Sequence, residues 1–111
     1  MLLNHGELNG HRFLNESSVK EIYAPHTQLN NEYGYNGYNL WVTSDLNKEK
    51  GYGDEGLWTG GGYEGTHFWI DPKRDFVGLI MTQMFETPKA GHGRDNEIRG
   101  EVYKQIFKQE E

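Results

Sequence analysis

The sequence predicts an α+β domain: an antiparallel sheet of about three strands, a short helical region before it and a C-terminal helix packed on one face. Three observations predict it. From Glu32 onward "EYGYNGYNLWVTSDL" turns aromatic and β-branched, and "LWTGGG", "YEGTHFWI" and "FVGLIMTQMF" continue in the same character. Two stretches with helical spacing, "NESSVKEIY" and "NEIRGEVYKQIFKQ", flank these strands. The 111 residues suffice for one small domain and are too few for two.

The elements follow in order. "MLLNHGELNG" opens with a short apolar run and leads into a turn-like "ELNGHRF", where Gly6 and Gly10 suit positive φ. It reads as the last turn of a helix whose beginning lies outside the chain. Asn15 is the N-cap of a second helix, Val19, Ile22 and Tyr23 share its apolar face, and Pro25 stops it. Ser18 and Glu21 have the spacing of a capping box. In the first strand Tyr38, Leu40, Val42 and Ser44 point one way, Trp41 and Thr43 the other. "NKEKGYGDEG" is a polar connector, and "LWTGGG" with "YEGTHFWI" forms a strand interrupted by its glycines. "DPKRD" is a tight hairpin loop with Pro72 at the second position of a type I turn and Asx bonding at Asp71 and Asp75. "FVGLIMTQMF", the most apolar segment, is the expected central strand. After the loop "ETPKAGHGRD", Asp95 caps a final helix whose apolar stripe is Ile98, Val102, Ile106 and Phe107.

Composition narrows the function. A formal charge of −6 argues against nucleic acid or an anionic membrane surface as the main partner. No cysteine is present, so neither a disulfide framework nor a thiolate metal site is available. No run of about 18 apolar residues exists, so no membrane span is expected, and "MLLNHGELNGHRF" lacks the apolar stretch of a secretory signal. Leu, Ile, Val and Phe make up roughly a fifth of the chain, near the level at which chains tend towards disorder. Seven Tyr, three Trp and five Phe offset this, so the core should be thin and aromatic and in want of a covering surface. Self-association, or complementation by a missing half, through an open sheet edge is expected. His5, His11, His26, His67 and His92 are scattered, without HxH or HExxH spacing, so no metal site is expected; a pairing of His67 with Asp71 has no further support.

The run Gly60-Gly61-Gly62 lies between Trp58 and Trp69, immediately before a strand ending in Asp-Pro. Such a run is either a loose turn or a place where backbone approaches something closely. Here a resemblance enters. "MLLNHGELNGHRFLNESSVKEI", "GTHFWIDPKRDFVGLIMTQ" and "RDNEIRGEVYKQIF" resemble the serine β-lactamase-like family, which includes class C β-lactamases, penicillin-binding DD-peptidases and related esterases. The likeness runs from Met1 to about Phe107, and the "FWIDPK…D" hairpin is its most specific part.

The resemblance implies a C-terminal segment of a β-lactamase/transpeptidase-like fold, with the helical domain and nucleophilic serine upstream. It places Trp58-Thr59-Gly60 at the family's Lys-Thr-Gly-like triplet on an edge strand facing the substrate. It also makes Gly61 the oxyanion-hole amide, with Gly62 and Tyr63 as further substrate-binding positions. Trp58 supplies no charge for a β-lactam carboxylate, which points away from penicillinase activity. The implied substrate is a small acyl compound (ester, amide or β-lactam), no cofactor is implied, and the chain alone should be inactive or nearly so. Ser17 and Lys20 satisfy Ser-x-x-Lys literally, yet they fall where the resemblance places an ordinary surface helix, and no Tyr-x-Asn occurs. A rival reading is a carbohydrate-binding module with Tyr33, Tyr35, Tyr38, Trp41, Trp58 and Tyr63 as its platform. A third is a structural fragment that associates with itself.

Overall fold

The computed structural model describes residues 1–27, 34–62, 65–83 and 94–107. The expected helix end at the N-terminus is a single 3-10 turn, Leu2–Asn4, followed by a two-stranded ribbon of β1 (Glu7–Leu8) and β2 (His11–Arg12). Asn9 and Gly10, at φ 52° and 81°, make the turn between them; two successive positive φ values match the right-handed strand twist. The Arg12 guanidinium closes the ribbon, reaching Glu7 Oε1 at 2.8 Å and the carbonyls of His5 and Leu14.

Helix α1 (Glu16–Tyr23) forms as the sequence predicts, with Asn15 in the N-cap position and Val19 fully buried. Ser18 is then the third helical residue rather than the cap, so the Ser18–Glu21 capping box does not arise.

Among the described residues the main sheet has five antiparallel strands rather than about three, in the order β3 (Tyr35–Asn36), β4 (Trp41–Val42), β5 (Trp58–Gly61), β6 (His67–Asp71) and β7 (Phe76–Ile80). The strand expected across 38–44 is broken by a turn. Asn39 takes φ 58° and the Gly37 N–H donates to the Leu40 carbonyl, leaving two short strands where one was read. Helix α2 (Asp45–Glu49) runs from the end of the segment read as strand into the polar connector, opened by a capping box in which the Ser44 N–H donates to Asn47 Oδ1 at 2.7 Å. Asparagine stands there in place of the usual Glu or Gln, which hides the signal.

The apolar segment expected at the centre is β7, at one edge, and β5 occupies the middle. Val77, Leu79 and Met81 are 56%, 65% and 77% exposed. Their hydrophobicity therefore reported a bare face rather than a central position.

Helix α3 (Arg94–Ile106) crosses the sheet face that carries His67, Trp69 and Asp71, while α1 lies against the other face, where Tyr23 stacks on Trp58 at 4.3 Å. The core under α3 is aromatic, as composition implied: Leu57, Trp69 and Tyr103, with Phe76, Ile80, Val102 and Phe107 packed around them. The predicted stripe on α3 is only partly correct. Ile98 and Ile106 are exposed, and the buried positions are Asn96, Arg99, Gly100 and Tyr103. These share one helical face, and two of them, Arg99 and Tyr103, meet polar groups on the sheet, His67 and Asp71. Gly100 is required by closeness, since a Cβ there would lie 2.0 Å from the Gly51 carbonyl oxygen.

Candidate functional site

Gly60, Gly61 and Gly62 all lack positive φ, so conformation does not demand glycine. Space does, unevenly. A Cβ on Gly60 would come 2.5 Å from the Phe68 ring, and one on Gly62 would come 2.4 Å from Thr66 Oγ1. At Gly61 the nearest atom is the Thr66 carbonyl oxygen at 3.3 Å. The outer glycines thus make room for groups of the protein itself, and Gly61 is the least constrained of the three.

Backbone direction alternates along a strand, so each residue sends its N–H and C=O to one neighbour and the next residue to the other. The Leu57 carbonyl accepts from Thr43 on the β4 side, whereas the Gly62 N–H donates to the Thr66 carbonyl on the β6 side at 2.9 Å. Gly61, four residues after Leu57, therefore faces the β4 side. Strand β4 pairs only with Trp58 and Thr59. Beyond its end no strand among the described residues pairs with Gly61, whose residue is exposed. Among the described residues β5 is an edge only over its last residues; along Trp58–Thr59 it is flanked on both sides, which corrects the expectation of an edge strand throughout.

The other predicted positions divide accordingly. Trp58 and Thr59 are each 4% exposed, with Trp58 committed to Tyr23 and Thr59 opposite Trp41 and Trp69. Neither side chain lines an open cleft. Gly60 lies partly buried under Phe68, Gly62 is exposed, and Tyr63 falls outside the described residues. What the glycine run offers a ligand is backbone, at Gly61.

Beside Gly61, its register partner His67 is buried. His67 Nε2 lies 3.0 Å from Arg99 Nη1, and Nδ1 lies 3.1 Å from Asp95 Oδ2, close enough for attraction but without the alignment of a hydrogen bond. An arginine only donates, so the partners assign Nε2 as acceptor and put the proton on Nδ1, towards Asp95. The Asp95 carboxyl is held below 3.8, chiefly by His67, against the opposing effect of burial and with help from the Asn96 N–H and Arg99. Arg99 also donates through Nε to the Tyr52 carbonyl at 2.6 Å, and burial lowers its pKa to about 10 while Asp95 and Tyr103 work the other way. With Nε2 taken by Arg99 and Nδ1 beside Asp95, buried His67 is a joint between sheet and helix rather than a base open to a substrate.

Asp71 does not meet His67, whose partners are Asp95 and Arg99. Its Oδ1 accepts from the Lys73 and Arg74 N–H groups, the Asx turn expected of it, and Oδ2 accepts from Tyr103 at 2.7 Å and Arg74 at 3.1 Å. Sequence reasoning missed Arg99 and Tyr103 because nothing local distinguishes an inward-facing polar residue on a helix from an outward one.

Ser17 is exposed on α1, and Lys20 is exposed with Glu16 3.9 Å away, so the literal Ser-x-x-Lys has no buried, activating environment. The aromatic platform is not assembled by the described rings: Trp41 and Trp58 belong to opposite sheet faces by register, and Tyr38 stacks on His26 at 4.0 Å. Tyr33, like Tyr63, lies outside the described residues. Among the described residues, no three His, Asp or Glu side chains converge on a point where an ion could be held, and no helix is long and apolar enough to cross a membrane. No protein-family model and no curated protein matches the chain.

Proposed function

We propose that this chain forms the substrate-facing sheet of a serine β-lactamase-like acyl hydrolase and contributes the Gly61 amide as one donor of its oxyanion hole. The observation that supports this is the direction of the Gly61 backbone. Its N–H and C=O point past the end of β4, on a residue held in register by the β5–β6 ladder. An acyl substrate laid along β5 takes the two bonds that a further strand would make. A donor fixed in this way is worth about 2.7–4 kcal/mol when charge develops on the substrate oxygen. The nucleophile in this reading comes from polypeptide other than the described residues, because Ser17 and Lys20 both stand on the solvent side of α1, with Lys20 facing Glu16. No cofactor takes part.

The test is a backbone-amide NMR titration of the labelled chain with a short N-acetylated dipeptide. The Gly61 amide is expected to shift saturably, with Gly60 and Gly62 moving less because their N–H groups face β6. A Gly61 resonance that stays put to high millimolar concentration overturns the proposal. Incubation with a fluorescent penicillin and with a fluorophosphonate should leave the intact mass unchanged. An adduct would show that the chain carries its own nucleophile, and the division of labour proposed here would fall.

A further inference from the structure

At the other end of the sheet, α2, the loop through Gly51 and Gly53, the β6–β7 hairpin and α3 surround a cavity of about 430 Å³. It lies beyond Asp71, four residues along β6 from the register partner of Gly61, hence about 14 Å away, and it owes nothing to the acyl-binding reading. Its lining brings together Lys48 from α2, Lys73 and Arg74 from the hairpin, and Lys104 from α3. In a chain of net charge −6 this convergence from three separate segments is the reverse of the average surface.

Asp54 is the only carboxylate among the described lining residues, and it shows what the cations attract. Lys48 Nζ stands 3.2 Å from its Oδ1, while Arg74 Nη1 and Lys73 Nζ stand 3.2 and 4.0 Å from Oδ2. Arg74 also meets Asp71, at 3.1 Å. Among the described residues four cations and two carboxylates meet here. The floor is aromatic: Tyr103 and Phe107 have ring centroids 5.0 Å apart, and the Arg74 guanidinium lies over both, 5.4 and 4.9 Å from their centroids. Stacking and two carboxylates thus fix the orientation of Arg74, and only 15% of its side chain is exposed.

We propose that this cavity binds a small organic phosphate monoester, with its dianionic head among Lys48, Lys73, Arg74 and Lys104 and its apolar body against Tyr103 and Phe107. A phosphate monoester presents three terminal oxygens to donors arriving from three separate segments, where a single carboxylate presents two. The volume falls in the range of small-molecule pockets, about 300–1,000 Å³, and leaves room for more than a bare phosphate.

Calorimetric titration at constant ionic strength, with phenyl phosphate as the probe and inorganic phosphate and benzoate as comparisons, tests the proposal. Phenyl phosphate is expected to bind saturably at one equivalent, at least about tenfold more tightly than benzoate, and more tightly than inorganic phosphate. Lys73 and Lys104 are exposed, so Lys73→Gln with Lys104→Gln should leave the unfolding midpoint where it was and weaken phenyl phosphate by about tenfold or more. Absence of saturation, equal binding of benzoate, or an unchanged affinity in the double variant overturns the site. Inorganic phosphate binding as tightly as phenyl phosphate overturns the organic ligand.

Discussion

Three sheet glycines without positive φ, at 60, 61 and 78, differ in what an added methyl group would meet, and alanine at each should separate them. The shared contribution is a gain of about 0.4–1 kcal/mol from reduced freedom of the unfolded chain. At Gly61 the new Cβ would sit 3.3 Å from the Thr66 carbonyl oxygen and 3.7 Å from His67 Nδ1, on an exposed residue, so the contact roughly offsets the gain. Gly61→Ala should lie within about 0.5 kcal/mol of the parent. At Gly60 two Phe68 ring atoms stand at 2.5 and 2.7 Å; that ring is partly exposed and turns aside at the cost of its own packing. Overpacking of about 1–3 kcal/mol less the entropic gain leaves a net loss of about 1–2 kcal/mol. At Gly78 three Trp69 ring atoms stand at 2.1 to 2.3 Å, and Trp69 is 2% exposed, hemmed by Phe76 and Tyr103. Gly78→Ala should cost about 3 kcal/mol or more. Urea denaturation of the three variants, with midpoint and slope fitted together, reads the ranking directly. A Gly61→Ala loss equal to that of Gly60→Ala would show that Gly61 is enclosed, and the open amide at the candidate site would be lost with it. A Gly78→Ala variant as stable as the parent would refute the packing argument.

Tyr103→Phe removes the hydroxyl that donates to buried Asp71 Oδ2 at 2.7 Å, and a loss of about 1.5–3 kcal/mol by chemical denaturation is expected for a bond to a charged group. Burial, with the hydrogen bond and charge of Asp71, raises the Tyr103 pKa. The folded protein keeps a proton that the unfolded chain sheds near pH 10, so this stability is complete below that pH and is lost as pH rises; absorbance titration should find Tyr103 silent until unfolding. Asp54 resembles Asp95 in the acid range: burial works against its ionisation, but the bonds from Lys48 and Arg74 outweigh it and hold the carboxyl below 3.8. For both groups the unfolded chain binds protons more readily, so their stabilisation is present above about pH 5 and disappears as pH falls through the lowered values. Asp95→Asn should flatten the acid limb of a denaturation-against-pH profile. Sedimentation equilibrium should show concentration-dependent association through β7, abolished by Leu79→Lys on its exposed face; a strictly monomeric profile of the parent at high concentration would refute that.

Local chemistry was legible in the chain where one or two neighbouring residues decide the outcome. Asn15 and Pro25 bracket α1, Asp71 with Pro72 turns the β6–β7 hairpin, and Gly6 and Gly10 take the positive φ they suit. The aromatic core, too, followed from composition, since Trp69, Tyr103, Phe76 and Phe107 were the large surfaces available to bury. The sequence also drew attention to the glycines at 60–62, but it could not say which of them faces outward. That depends on β4 ending opposite Thr59, a fact of pairing between segments distant in the chain. For the same reason the most apolar strand was misplaced at the centre: hydrophobicity records a preference for burial, and only the strand order shows whether anything covers the face. The burial of Arg99 and Tyr103 belongs to the tertiary structure alone, because a polar side chain is stable inside only when its partners, here His67, Tyr52 and Asp71, arrive from other elements.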